Sequence, residues 1–436
     1  MILFVENVLN ISTMKNMDRM IVFLIELFTK IYWRKMHMEY KRNIYLFLIF
    51  DFLTNLSPLS FIYALFLKQQ NMSLTQIGFI ISVYQISKLI FEVPSGVFSD
   101  KYGRKTCAYI GQVSLIAFLI STLITRSYNS FLLISIIRGI SFAFLSGTAD
   151  CIFSESILKC CPDKMDYYMG IDKILFYCSI GLSSIIGGFL ARYSYATVFY
   201  FDIVIQIICF IFIFIFKETR MFNNNQIKEP KECIRFFHGF DFLNYKVIYL
   251  ILLPAILAIC FLPYEDYYSV LLKSHNITEN VIGFMFSCVM FSQSVFGICA
   301  QKINSKLGYD FSVRKLPFII VTLFIIMSIF QGHILLSWLL YVCCASLMSI
   351  NNISYNSCLQ KSIEDANRGT ILSLRSLLIA VTGMLISPLV GHFSDIYGFS
   401  TTFLYCGMIC LSLLFITSIL AKKYDFSLNN GSLVIF

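Results

Sequence analysis

The chain has 436 residues, of which 58% are apolar and only 14% charged, against about 25% charged in an ordinary soluble domain. That much apolar surface fills a dozen spans of about 20 residues and cannot be hidden behind so little charge. A soluble enzyme, a disordered scaffold and a secreted disulfide protein are therefore excluded. The net charge of +9 belongs, in a membrane protein, to loops retained in the cytoplasm rather than to nucleic-acid binding.

Taken from the start, residues 1–40 form an extension. Its apolar run, 21–33, is too short and too charged to span, and no small-residue cleavage site follows it. Two readings stay open: an interfacial amphipathic helix, or a start site placed upstream of Met36 or Met38. Twelve apolar segments follow, at about 44–67, 77–98, 106–125, 129–152, 169–191, 195–216, 246–270, 281–301, 316–334, 337–360, 369–391 and 399–421. They have the length of spanning helices and lack the two-residue alternation of a membrane barrel. The expected architecture is an all-α membrane protein of twelve helices. A six-helix bundle (41–216), a cytoplasmic linker (217–245), a second bundle (246–421) and a tail (422–436) divide the chain.

Loop charge predicts the orientation. With residue 43 inside, the inner loops and tail hold 21 Lys and Arg from Lys41 onward, whereas the outer loops hold only Lys68, Arg126, Arg192 and Lys273. Both termini are expected in the cytoplasm. The fifteen cysteines are scattered through apolar stretches without ligand spacing, so they read as small buried side chains, with no metal and no disulfide framework.

An internal repeat is visible. Segment 5 ends in Ser183, Gly187 and Phe189, then Tyr193, Thr197 and Phe199; segment 11 ends in Ser387, Gly391 and Phe393, then Tyr397, Thr401 and Phe403, every pair 204 positions apart. Two six-helix halves in the same orientation are the plan of parallel-repeat transporters, whose substrate site lies between the halves near mid-membrane.

Between segments 2 and 3 the chain reads Glu92-Val93-Pro94-Ser95-Gly96-Val97-Phe98-Ser99-Asp100-Lys101-Tyr102-Gly103-Arg104-Lys105. This resembles the signature loop of the major facilitator superfamily, G-x-x-x-D-x-x-G-R-[RK], at the place where that family carries it. Arg138-Gly139 in segment 4 resembles the family's intramembrane arginine motif. Together with Ser146-Gly147-Thr148-Ala149-Asp150, the loop is similar to a bacterial subgroup that pairs E-[IV]-P-[ST]-G with S-G-x-x-D. The antiporter motif of helix 5 is half present: Ser183 and Ser184 stand where Gly-Pro would. Physically, Gly96 is expected to allow close helix approach, and Asp100 to face a helix N-terminus or Arg104. Gly103 is expected to make the turn, with Arg104 and Lys105 anchoring the loop inside. The resemblance implies that this cluster is a cytoplasmic gate.

Ionisable residues inside spans are costly and mark function. At 1.5 Å per residue, Asp51 lies about 10 Å from the inner face, Lys88 and Arg138 near mid-membrane, and Glu92 and Arg375 at one level about 8–9 Å from the inner face. Because the family lines its cavity with helices 1 and 4, the resemblance implies Asp51 and Arg138, with Lys88 nearby, as the substrate and proton-coupling site. A static Asp51–Arg138 ion pair is the alternative, and Lys88 and Glu92 are spaced to pair with each other. Glu92 and Arg375 are expected to bolt the inner gate. Asp150, Glu155, Asp172 and Lys173 gather at the inner ends of segments 4 and 5. Glu265 and Asp266 are expected to be exposed near the outer end of segment 7, and Tyr63, Tyr84, Phe261 and Tyr264 to pack in the core.

The resemblance implies a secondary active transporter of a small solute, working by alternating access, driven by protons, with efflux of an amphipathic compound as the leading direction. Uptake of a small metabolite is the alternative within transport; a non-transporting membrane sensor is the alternative outside it. An enzyme is disfavoured, since neither H-E-x-x-H nor G-x-S-x-G occurs, and no P-loop suggests ATP as the energy source. The expected partners are the solute, a proton and the bilayer of the cell membrane, with no cofactor and no nucleic acid, and the chain is expected to act as a monomer.

Overall fold

The computed structural model describes residues 38–217, 245–363 and 368–423. Residues 1–37 of the 1–40 extension, most of the linker and the end of the tail lie outside them, and residues 38–40 of the extension already belong to the first helix. Among the described residues there are ten continuous stretches long and apolar enough to cross a membrane. Two of these are about 50 residues long, Glu279–Ile329 and Ile371–Leu420, and as straight rods would run about 75 Å, more than twice the roughly 30 Å apolar core of a bilayer. Each is broken by a glycine at positive φ: Gly308 (φ 80°, ψ 158°) and Gly398 (φ 80°, ψ 167°). Only glycine adopts that geometry at low cost, so the chain reverses there and twelve spans result.

The helices are α1 Met38–Gln69, α2 Leu74–Tyr102, α3 Arg104–Ile124, α4 Tyr128–Cys160, α5 Met165–Tyr193 and α6 Tyr195–Ile215. The second half has α7 Tyr245–Ser274, α8 and α9 within Glu279–Ile329 on either side of Gly308, and α10 Ile334–Ser362. Finally, α11 and α12 lie within Arg368–Lys423 on either side of Gly398. The halves repeat: α2 and α8 begin at Leu74 and Glu279, and α4 and α10 at Tyr128 and Ile334.

Burial is inverted relative to a soluble protein. Leu133, Phe214, Leu335, Leu389 and Ile416 face outward, while Gln112, Gln206, Asn304 and Asn351 are buried. Lipid accepts the first set; the second set must find partners inside the protein. Gln112 donates to the side chain and the carbonyl of Gln206, at 2.8 and 2.9 Å. Asn351 donates to the Ser312 carbonyl at 2.8 Å, and Ser354 to Asn304 at 3.0 Å.

Helix α1 is interrupted at residues 56–58. Pro58 lacks an N–H and disfavours helical backbone at Ser57, which leaves polar groups loose inside the membrane region. Asp202 of α6, itself buried, meets the break: it accepts from the Ser57 hydroxyl at 2.6 Å and, on its own helix, from Gln206 Nε2 at 3.2 Å.

One end of the bundle carries the Gly103 loop and both ends of the described chain; this is the basic face. At the opposite face the halves meet closely, α2 along α11 and α5 along α8. Gly78 and Gly391 seal the first pair. A Cβ on Gly78 would strike the Ser387 carbonyl, and one on Gly391 the Leu74 carbonyl. Gly283 and Gly188 seal the second in the same way against Ser184 and Glu279. On α11 the repeated Ser387 and Gly391 form this packing surface, whereas on α5 it is made by Ser184 and Gly188, one position along, and the matching Gly187 packs against Pro58, Phe61 and Ile62 of α1.

Candidate functional site: an inter-bundle cavity

Toward the basic face the halves part around a cavity of about 770 Å3. Helical periodicity builds its walls. On α7, Pro254, Ala258, Phe261, Leu262 and Glu265 fall on one stripe facing it, and Asn352, Asn356 and Gln360 of α10 form another. Lys173, Phe176 and Tyr177 of α5 close the third side. Met169 and Gln360, near the basic-face ends of α5 and α10, mark its mouth.

Glu265 departs from expectation. Helix α7 continues to Ser274, so this residue sits about 14 Å inside the helix end. It is exposed, but into the cavity, whose wall it forms. Its neighbour Asp266 accepts from the Ser387 hydroxyl at 3.3 Å.

The pair implied between Asp51 and Arg138 is not brought together. Asp51 accepts from Asn55 Nδ2 at 2.9 Å. The Arg138 guanidinium instead sits among rings, 4.6 Å from the centroid of Tyr84, 4.9 Å from Tyr63 and 5.4 Å from Phe118. The reason is depth: counted from the opposite face along their own helices, the two residues differ by about 12 Å. Arg138 acts electrostatically on Asp202 and Asp266. Neither Asp51, Arg138 nor Lys88 lines the main cavity. Lys88 Nζ lies 4.0 Å over the Phe142 ring, beside a groove bordered by Glu92, Ser376 and Ala380.

At the basic face, Gly103 turns the chain at φ 91°, ψ 153°. Arg104 pairs with Glu155 of α4 at 2.6 Å, and Lys105 donates to the Phe214 and Phe216 carbonyls at 2.7 and 3.1 Å, capping the end of α6. Glu155 therefore belongs with the loop rather than with Asp172 and Lys173, which contact each other at 3.5 Å. The side chain of Asp150 lies outside the described residues. Gly96 corrects another expectation: no atom approaches the place a Cβ would take, and with Glu92 and Asp100 it borders an open groove. Close approach on α2 occurs at Gly78 instead. Glu92 and Arg375 form no ion pair; Arg375 donates to Asn356 within its own half and lies 5.9 Å from the Tyr355 ring centroid.

Asp202 went unread in the sequence although a signal was present. It is the one carboxylate in a segment of mean hydropathy 2.7, where its cost alone marks it. Phe261 lines the cavity, while Tyr63 and Tyr84 cage Arg138 and Tyr264 is buried among rings, as core aromatics do.

The model of the Major Facilitator Superfamily matches residues 45–387 and 268–431. The chain belongs to this family and is a multi-pass membrane transporter, not an enzyme. It is 24% identical over 391 residues to an uncharacterised MFS-type transporter of Bacillus subtilis, YxaM, covering 84% of this chain and 92% of that one. A similar relative of Methanocaldococcus jannaschii is 25% identical, covering 83% and 94%. Among solved structures, the nucleoside transporter NupG superposes with a TM-score of 0.68 at 15% identity, covering 87% and 99%. A D-xylose-proton symporter gives 0.70 at 13%, covering 89% and 99%. These likenesses speak for the fold.

Proposed function

We propose that the chain is a secondary active transporter that moves a small solute by alternating access, driven by protons, and that this structure is the state open to the cytoplasm. The observation that carries the reading is the cavity between the halves, sealed at one face by two repeat-related helix pairs and open at the other. The distribution of Lys and Arg supports placing the basic face and both termini in the cytoplasm of the cell membrane. Glu265 and Asp266 are the proposed proton-responsive groups, with Arg138 electrostatically tied to Asp266 and so to the opposite half. Asp51, assigned coupling by resemblance, is proposed to act through the α1 break it adjoins. Lys88 is proposed to hold α2 to α4 through Phe142. Amphipath efflux fits a wall built largely of apolar and aromatic side chains.

Two experiments test this. In proteoliposomes with a pH-sensitive dye inside, a transported solute should move protons, and solute movement should fall when the gradient is collapsed; flux indifferent to that collapse rejects coupling. On a cysteine-depleted background in intact cells, an impermeant thiol reagent should label His275→Cys and spare Asn225→Cys. Labelling at 225 would reverse the orientation.

A further inference from the structure

We infer that the cavity binds an organic monocation with an apolar body, its charge against the carboxylate of Glu265. This rests on the reading of the cavity as the transport path.

Among the described residues Glu265 has no ion-pair or hydrogen-bond partner, although its surface opens into the cavity. The charge that acts on it is Asp266, of the same sign. Arg138, the cation within electrostatic reach of this region, acts on Asp266 and is held among three rings. Recessed at the closed end of the cavity and without a counter-ion of its own, the ionised carboxylate is stabilised by a cation that enters beside it. An anion would be repelled by the ionised Glu265. A neutral polyol would donate hydrogen bonds to the carboxylate but bring it no counter-charge.

The walls suit the rest of such a ligand. Tyr177, Phe176 and Phe261 border the same space, and aromatic faces attract cations as well as apolar groups. A cavity of about 770 Å3 lies within the range that encloses a small organic molecule. The basic groups nearby do not cancel the charge. Lys173 contacts Asp172, and Arg375, counted along α11 from the Gly398 break, sits about 20 Å nearer the basic face than Glu265. Along their helices, Lys173 sits about 16 Å nearer the basic face than Glu265, beyond the roughly 8–10 Å over which charges act through salt water.

The test uses tetraphenylphosphonium and tetraphenylborate, of equal shape and opposite charge, titrated calorimetrically into the purified full chain in detergent with protein-free micelles as the blank. The phosphonium should bind and the borate should not. Glu265→Gln should weaken the phosphonium about tenfold or more, the scale expected when one close charge pair is lost, and Glu265→Asp should recover part of it. Equal affinity for the two ions on the unaltered protein, or Glu265→Gln within twofold of it, overturns the inference; the first comparison stands even where the variant fails to fold. Proteoliposome flux separates this from the transporter reading. Glu265-dependent binding without gradient-driven movement of the cation would reject proton-driven transport of the cation and keep the cation site. Gradient-driven movement of other solutes, with phosphonium binding insensitive to Glu265, would reject the site and keep transport.

Discussion

The Asp395 carboxylate accepts both the backbone amide and the hydroxyl of Thr75, at 2.8 and 2.7 Å, and also the amide of Leu74 at 3.0 Å. A residue of the second half thereby caps the N-terminus of α2 in the first, 320 positions away. Tyr267 adds a donor to the Leu74 carbonyl at 3.0 Å. A capping side chain contributes about 0.5–2 kcal/mol. Asp395→Ala should therefore shift the population toward the state open at the opposite face by roughly 2- to 30-fold. Spin labels at Asn71 and Ile396 should show a longer-distance population; an unchanged distance distribution would remove the cap from the gate.

The glycine seals predict a symmetric effect. Gly78→Ala and Gly283→Ala each force a methyl onto a backbone carbonyl of the opposing half, which costs about 1–3 kcal/mol where packing cannot relax. Both variants should disfavour the present state. Labels at Gly170 and Gln360, across the mouth of the cavity, should move closer in each. If one substitution shifts the distance and the other leaves it alone, the two helix pairs do not act as equivalent seals.

Arg104 and Glu155 form a 2.6 Å pair with side chains 12% and 30% exposed. Removing either takes this ion pair from a shielded charge. Arg104→Ala and Glu155→Ala should each lower thermal stability in detergent, and the double variant should lose less than the sum, with a coupling of roughly 0.5–3 kcal/mol. Additive losses would mean that the pair is incidental.

Glu92 and Arg375 are apart in the state open at the basic face, so a bolt between them would belong to the opposite state. Arg375→Ala and Glu92→Ala should each favour the present state, read as a wider distance between labels at Gly170 and Gln360. The double variant should be less disturbed than the two effects combined. Additivity would assign Arg375 to Asn356 alone and Glu92 to the neighbourhood of Lys88.

Twelve spans, the two-fold repeat and the Gly103 turn were legible because each is written locally. Apolar runs of about 20 residues, glycines in register and one positive-φ turn need no knowledge of distant neighbours. Of the repeated glycines, Gly391 lies at the seal of the opposite face, whereas Gly187 packs within the first half and its neighbour Gly188 makes the second seal.

Which ionisable residue meets which was not local. Asp202 reaches Ser57 across 145 positions and Arg104 pairs with Glu155 on another helix, while Arg138 is surrounded by rings rather than joined to Asp51. Glu265 looked like a residue near a helix end because hydropathy shows where a span fades, not how far the helix continues or which way its face turns. By itself the sequence determined how many times the chain crosses, where it repeats and where it turns. Only the tertiary structure decided which carboxylate faces the cavity, because a helix turns about 100° per residue and its neighbours set which stripe points inward.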